Sequence, residues 1–598
     1  MEQARTVAAD FLAAWSAGDY AEAAALTDDP AGTETLLADA AGWVGVPGPD
    51  AVLDDIEPTG TQQDAATALA GLTWSPPAAP EWAYPLPMTL TRGEPDGPWR
   101  ITSGASLVHP ELAAGQSILV SRTLPPRASI LDADGRPLFA ETPVVTVGVD
   151  PGLVTDLPSL AATLADVLDV DAAAITADVQ ATPAGQFVPV ITLRRSEYDA
   201  VRDQVYDLPG TVFQEATRQL APSSLFARAV LGRVGPVTEE IVAESEGLLQ
   251  PGDEGGLSGL QRAYQAQLSG TPGVTVSTAL DGVAVTTLQE TSGTPGTPVR
   301  TTLSTAVQDA ADAAVATVTQ PSFIVAVRPS TGEVLAVASN TAATPGNALT
   351  GQYPAGSTFK IVTAAAALQA GLVSPQTVLP CPATNNVDGR EFENADRFVL
   401  GDVPFTTAFA RSCNSTFTAL GAQLDPTALT EAAAQFGIGS QWDLPVDVVT
   451  GSVATPDSAV RQAEDSIGQG DVLVSPFAVA MMAATVVAGA PPVPVLVTDA
   501  DPAGQAPVGP PADVVEALRG LTRAVVTDGT ATPLADLPGQ VAGKTGTAEF
   551  GSGDPPPAHA WFAGYRGDLA FAVLVEGGQS STTTAVPMAD AFLSALPL

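Results

Sequence analysis

Lysine, histidine and cysteine are nearly missing from this chain of 598 residues, which holds only two of each. Two His and two Cys cannot furnish a second metal site and barely furnish one, which points away from a zinc enzyme. Positive charge is scarce too: 24 Lys+Arg face 66 Asp+Glu, for a net charge of −42. A polyanion of that size repels phosphate backbones and anionic lipid surfaces, so nucleic-acid binding is set aside. Long apolar runs are also absent. The most apolar stretch, Phe477 to Ala490, falls short of the roughly 18 residues a membrane span needs, and two prolines follow it. It reads as a buried helix. The first residues, Met1-Glu2-Gln3-Ala4-Arg5, open directly in an amphipathic helical pattern with neither a basic n-region nor an apolar h-region. That leaves a cytoplasmic protein or one whose export segment is not part of this sequence. What is present is ample apolar material, 45% of residues, and length for about three or four domains.

Helical spacing runs through residues 2–16, with two Ala-rich stretches near 20–27 and 33–43 and strand-like segments at 65–74, 82–91 and 99–108. These predict a small α+β domain. His109, in His109-Pro110-Glu111-Leu112, has no legible acid–base partner and is expected to be a loop or packing residue at a domain boundary. From 116 to 298, strand-like pieces (129–131, 144–149, 187–193) alternate with acidic helices. The stretch 286–298, rich in Gly, Pro and Thr, reads as an exposed connector. Beyond it the pattern predicts a helix over 304–319 and strands at 323–327 and 332–338. A nearly all-apolar helix is expected over 357–371, and strands at 541–548, 560–565 and 569–576. The expected architecture is α+β multidomain. A domain at 299–598 holds a mainly antiparallel sheet and a central buried helix, preceded by domains at 1–113 and 114–298.

Both lysines sit in suggestive contexts. Lys360 follows Gly356-Ser357-Thr358-Phe359 at the start of the apolar helix, and Lys544 opens Lys544-Thr545-Gly546-Thr547 in a strand. Between them lies Ser412-Cys413-Asn414. Residues i and i+3 share a helix face, about 5–6 Å apart at Cβ, so the Lys360 amine can reach the Ser357 hydroxyl. Serine is a poor nucleophile until its proton is removed, and no spare histidine is available to remove it. A buried lysine near a second cation can stay neutral and act as that base, and Lys544 is the second cation. A helix N-terminus at Ser357 also aims backbone N–H groups at a developing oxyanion. In the strand, Lys544 and Gly546 point one way, Thr545 and Thr547 the other, with Gly546 expected to leave room for a pairing substrate strand. Read blandly, Lys360 is a snorkelling surface residue and Lys544 an edge-strand gatekeeper. In a chain that uses Arg for every other cation those readings carry less weight. A Ser-His-Asp triad would need His559, which lacks a Gly-x-Ser-x-Gly elbow and reads as a packing or substrate-gate residue.

These motifs resemble the penicillin-binding proteins and serine β-lactamases. Tyr353 to Lys360, Phe405 to Asn414, Ser466-Ile467-Gly468-Gln469-Gly470 and Lys544 to Glu549 are similar to class B, monofunctional D,D-transpeptidases. Residues 255–273 resemble that family's non-catalytic pedestal, and Arg127–Gly135 its entry, with Ala128 and Ala133 in place of the usual Gly and Arg. Residues 1–113 resemble a nuclear-transport-factor-like extension. The resemblance implies Ser357 as the acylated nucleophile, Lys360 as its base, Ser412 as a proton relay and Asn414 as a ligand for the donor amide. It implies Lys544 and Thr547 on the substrate carboxylate, Thr545 and Gly546 shaping the strand, and an oxyanion hole from the N–H groups of Ser357 and Thr547. It implies neither metal nor cofactor, and no glycosyltransferase module. The expected location is the outer face of a bacterial cell membrane, reached through an anchor absent from this chain. There Cys381 and Cys413 would most simply pair, the alternative being two buried free thiols.

The function so implied is cross-linking of peptidoglycan stem peptides ending in D-Ala-D-Ala, with β-lactams acylating the same serine and cell-wall synthesis partners met through the N-terminal domains. Two alternatives stay open. One is a D,D-carboxypeptidase or β-lactamase, in which water is the acceptor. The other is a non-catalytic scaffold or β-lactam sensor of cell division or elongation.

Overall fold

The computed structural model describes residues 1–59, 64–77, 79–94, 97–245, 247–553 and 556–596, with the backbone alone for 140 and 141. Two compact units result. One is Met1–Ala128 with Gly232–Val299, the other Ser129–Leu231 with Arg300–Leu598. Residues 114–128 and 232–298 fall in the first unit and residues 129–231 in the second.

In the first unit, helices Glu2–Ala17, Tyr20–Ala24 and Pro30–Val44 precede an antiparallel sheet of Asp50–Thr59, Ala65–Trp74, Trp82–Thr91 and Arg100–Ile101, in that order. Asp side chains at positions 19 and 29 cap the second and third helices by accepting backbone N–H groups. The helical stripe Ala4, Ala8, Phe11, Leu12 and Trp15 is buried against Leu72, Trp74, Trp82 and Met88 of the sheet. His109 is a packing residue: it stacks on Trp82 (5.4 Å) and its Nδ1 accepts the Glu111 N–H (3.1 Å).

One strand goes unread in the sequence and two expectations need correction here. Asp50–Thr59 is a strand that the sequence hides, because it is an acidic, largely exposed outer strand without apolar alternation. The strand expected over 99–108 stops at Ile101, and a 3₁₀ turn follows at Ala105–Leu107. The connector 286–298 begins inside a strand, Val283–Thr291, which pairs with Gly273–Leu280 and through it with Ser117–Thr123.

The second unit holds a three-stranded sheet (Val188–Arg194, Ala140–Val149, Thr211–Leu220) with its own core, and a five-stranded antiparallel sheet. The order of the latter is Val334–Ser339, Ser322–Val327, Leu569–Val575, Ala558–Arg566, Val541–Glu549. Ser322–Val327 and Val334–Ser339 are buried at every residue, so both faces are covered. The apolar run is the helix Pro476–Ala488, capped by the Ser475 hydroxyl and buried from Pro476 through Val486. Among the described residues no helix is long and apolar enough to cross a membrane. Val541–Glu549 is an edge strand. That topological fact positions the site.

Candidate active site

The turn Gly356–Phe359 is a 3₁₀ helix running straight into the α-helix Lys360–Gln369, shorter at both ends than the 357–371 expected. Gly356 sits at φ +51°, and a Cβ there would lie 2.6 Å from the Thr547 carbonyl oxygen, so only glycine lets this turn lie against the edge strand. Gly546 meets the turn from the other side: a Cβ on it would lie 2.8 Å from Thr358 Cγ2. Its smallness therefore serves the packing of the nucleophile turn. The expectation that it leaves space for a substrate strand is corrected on that ground. Gly468 completes the contact, its carbonyl accepting the Gly356 N–H at 2.7 Å.

Ser412 reaches the site through a helix end. The helix Phe405–Ala410 closes with the Cys413 N–H on Ala408 O and the Ser412 N–H on Phe409 O, the bond pair of a Schellman motif. The αL position of that motif normally takes glycine. Here it is Ser412, at φ +61°, and its Cβ holds a hydroxyl where glycine has none. Cys413 is disulfide-bonded to Cys381, with both residues fully buried. Asn394, whose role the sequence does not announce, ties the same region together. Its amide donates to Pro382 O (2.7 Å) and Phe398 O (2.9 Å), and its oxygen accepts the Ser415 N–H (3.0 Å).

Around Ser412 the two lysines converge, both with no exposed surface. Lys360 Nζ contacts Ser412 O (2.8 Å), Ser412 Oγ (3.1 Å) and Asn414 Oδ1 (2.6 Å). Lys544 Nζ contacts Ser412 Oγ (3.0 Å) and Thr545 O (2.9 Å). Among the described residues neither amine meets a carboxylate. Burial, and then the Lys544 charge, drive the Lys360 amine well below the usual lysine range. Burial brings Lys544 down to about 7. Lys360 donates to the Ser412 and Asn414 carbonyl oxygens and to the Ser412 hydroxyl, and Lys544 donates to that same hydroxyl, so one serine oxygen sits between the two amines.

The Ser357 hydroxyl is half-buried and makes no hydrogen bond among the described residues; Lys360 Nζ is directed to Ser412 and Asn414, so the direct bond to Lys360 expected from the spacing is not formed. Thr545 Oγ1 lies 2.5 Å from Thr530 Oγ1, and exposed Thr547 points its hydroxyl at Ser581 (3.5 Å). Asn414 donates its amide to Glu393 O at 2.8 Å. His559 lies flat on Phe550 (centroids 4.0 Å) and edge-on to Tyr353, and burial lowers its imidazole to about 4. That surrounding is a packing site, in which the ring Nδ1 accepts the Gly577 N–H (3.4 Å) and, among the described residues, no serine is bonded to the ring.

Residues 322–594 match the penicillin-binding protein transpeptidase domain and residues 122–301 the penicillin-binding protein dimerisation domain. The chain is 32% identical over 311 residues to the peptidoglycan D,D-transpeptidase PbpA of Mycobacterium tuberculosis H37Rv, covering 43% of this chain and 62% of that protein. It is 24% identical over 464 residues to the peptidoglycan D,D-transpeptidase FtsI of Escherichia coli K12, covering 73% of this chain and 75% of that one. Thus the chain spans somewhat under two thirds of the mycobacterial relative. Among solved structures, PBP2 in its complex with MreC from Helicobacter pylori aligns with a TM-score of 0.60 at 17% identity, covering 80% of this chain and 99% of that one, a likeness of fold. A chain from a peptidoglycan synthase complex aligns with the same score at 25% identity, covering 80% and 92%. With a dimerisation domain preceding a transpeptidase domain, and relatives of that one kind, the chain belongs to the class B penicillin-binding proteins.

Proposed function

We propose that the protein is a peptidoglycan D,D-transpeptidase working through an acyl-enzyme on Ser357. The observation that carries this is the pair of buried lysines on one serine hydroxyl, an arrangement in which burial and a like charge push the Lys360 amine toward its neutral, basic form without histidine. Ser357 Oγ attacks the carbonyl between the two terminal D-alanines of a donor stem peptide, and its proton passes to Lys360. The oxyanion is held by the N–H groups of Ser357, at the start of a helical turn, and Thr547. Lys544 and Thr547 bind the donor's terminal carboxylate, and Asn414 its amide. The departing D-alanine nitrogen takes a proton delivered through Ser412, and an amine from a second stem peptide then displaces Ser357. A β-lactam enters by the same attack, its ring opening onto Ser357 Oγ.

We place the protein outside the bacterial cytoplasmic membrane, in keeping with its family and with a buried disulfide beside the site. Its non-catalytic segments meet other cell-wall synthesis proteins, as PBP2 meets MreC in the structure aligned above. Mass spectrometry after penicillin exposure tests the assignment. One adduct on the Ser357 peptide, lost in Ser357→Ala, is the expected result, and an adduct elsewhere would refute it.

A further inference from the structure

The loop Ser466–Gly470 touches the site twice. Its Gly468 carbonyl holds the nucleophile turn, and its next residue, Gln469, reaches the edge strand. In the amide orientation that satisfies both atoms, the Gln469 nitrogen donates to Glu549 O (3.3 Å) and its oxygen accepts the Glu549 N–H (3.0 Å). One side chain thereby copies one residue of a neighbouring strand. The loop is held in place to do so: the Gln469 N–H bonds Glu464 O (3.1 Å), and Asp465 Oδ1 accepts the Asp471 N–H (3.0 Å).

Backbone groups of a strand alternate in direction, so the Glu549 N–H and C=O point to the free edge, as do those of Thr547 and Thr545. The Thr545 carbonyl is taken by Lys544 and both Glu549 groups by Gln469. Among the described residues, Thr547 alone of these three keeps both groups unpaired. We infer that Gln469 terminates the donor-binding edge, so that a donor peptide pairs with this strand over Thr547 only and its residues upstream of the scissile pair leave the sheet. This rests on the proposed transpeptidase reading and makes Gln469 a residue that sets donor length. Pairing over one residue supplies two backbone hydrogen bonds, and extra donor residues add no ladder bonds.

The test uses two donor esters ending in D-Ala-D-lactate, one N-acetylated at the D-Ala and one extended by two further residues. For the wild-type chain, kcat/KM for the two should agree within about threefold. Gln469→Ala frees the Glu549 groups and should raise the ratio of long to short donor by about fivefold or more. Gln469→Asn, one methylene too short, should do the same. A readout independent of activity is hydrogen exchange of the peptide covering 546–553, which should quicken in both variants. Unchanged exchange, or a wild type already favouring the long donor by tenfold with no further rise in the variants, overturns the inference. Absence of both turnover and penicillin labelling in the wild type, with exchange quickened in the variants, would instead overturn the transpeptidase reading.

Discussion

Ser412 Oγ stands 3.0 Å from Lys544 Nζ, and the same oxygen lies 3.1 Å from Lys360 Nζ. One hydroxyl on a left-handed residue therefore joins the only two lysines of the chain. Replacing it by glycine separates structure from chemistry. Ser412→Gly relieves an αL strain of about 1 kcal/mol and loses hydrogen bonds worth about the same, so unfolding free energy should stay within about 1 kcal/mol of wild type. Loss of the relay should slow acylation by fluorescent penicillin by about 10²–10⁴-fold. Denaturant titration and labelling rates, measured on one preparation, check both halves.

The pH dependence follows from Lys544. Its amine, lowered to about 7 by burial, loses its charge as pH rises through that value, leaving an anionic donor or β-lactam without its cation. The second-order acylation constant should fall above about pH 7, by about tenfold per unit once the group is mostly neutral. Lys544→Arg keeps its charge throughout, so its lower rate should show no such fall. A wild-type profile flat to pH 9 would contradict the assignment.

Stability should move in the opposite sense. Between about 7, where folded Lys544 titrates, and the ordinary lysine value of about 10.4, the unfolded chain binds one more proton than the folded one. Stability therefore rises with pH across that window. Lys544→Met, which removes the buried amine, should stabilise the protein at pH 7 by about 1–2 kcal/mol while abolishing labelling. Thermal melts at pH 7 and pH 9 check it: the gap between variant and wild type should narrow at the higher pH.

The disulfide closes a separation of 32 residues directly beside Ser412. Opening it by Cys381→Ser with Cys413→Ser should cost roughly 3–4 kcal/mol through the unfolded state. It should also slow acylation, since Cys413 anchors the left-handed turn that aims the Ser412 hydroxyl. Equal acylation rates in the two forms would show that Asn394 and the Schellman turn suffice alone.

The chemistry-bearing residues were readable because rarity made them stand out. A chain that uses arginine for every other cation places both lysines three residues after, or at the head of, recognisable triplets. The strands Ala65–Trp74 and Trp82–Thr91 were readable because apolar and polar residues alternate along them. The strand Asp50–Thr59 was not, since its register comes from pairing with Ala65–Trp74 rather than from its own pattern. Gly546 was assigned the wrong neighbour for the same kind of reason: a glycine in a strand signals close approach but not what approaches.

Sequence alone determined which side chains carry chemistry and the local turns that present them, because spacing on a helix or strand is a property of adjacent residues. Only the tertiary structure decided that Lys360 bonds Ser412 rather than Ser357, that Asn394 braces the helix carrying Asn414, and that Gln469 occupies Glu549. Those contacts join segments far apart in the chain. Which hydrogen-bond partner a buried amine or a carboxamide takes is settled by packing that brings those segments together, and no local pattern encodes it.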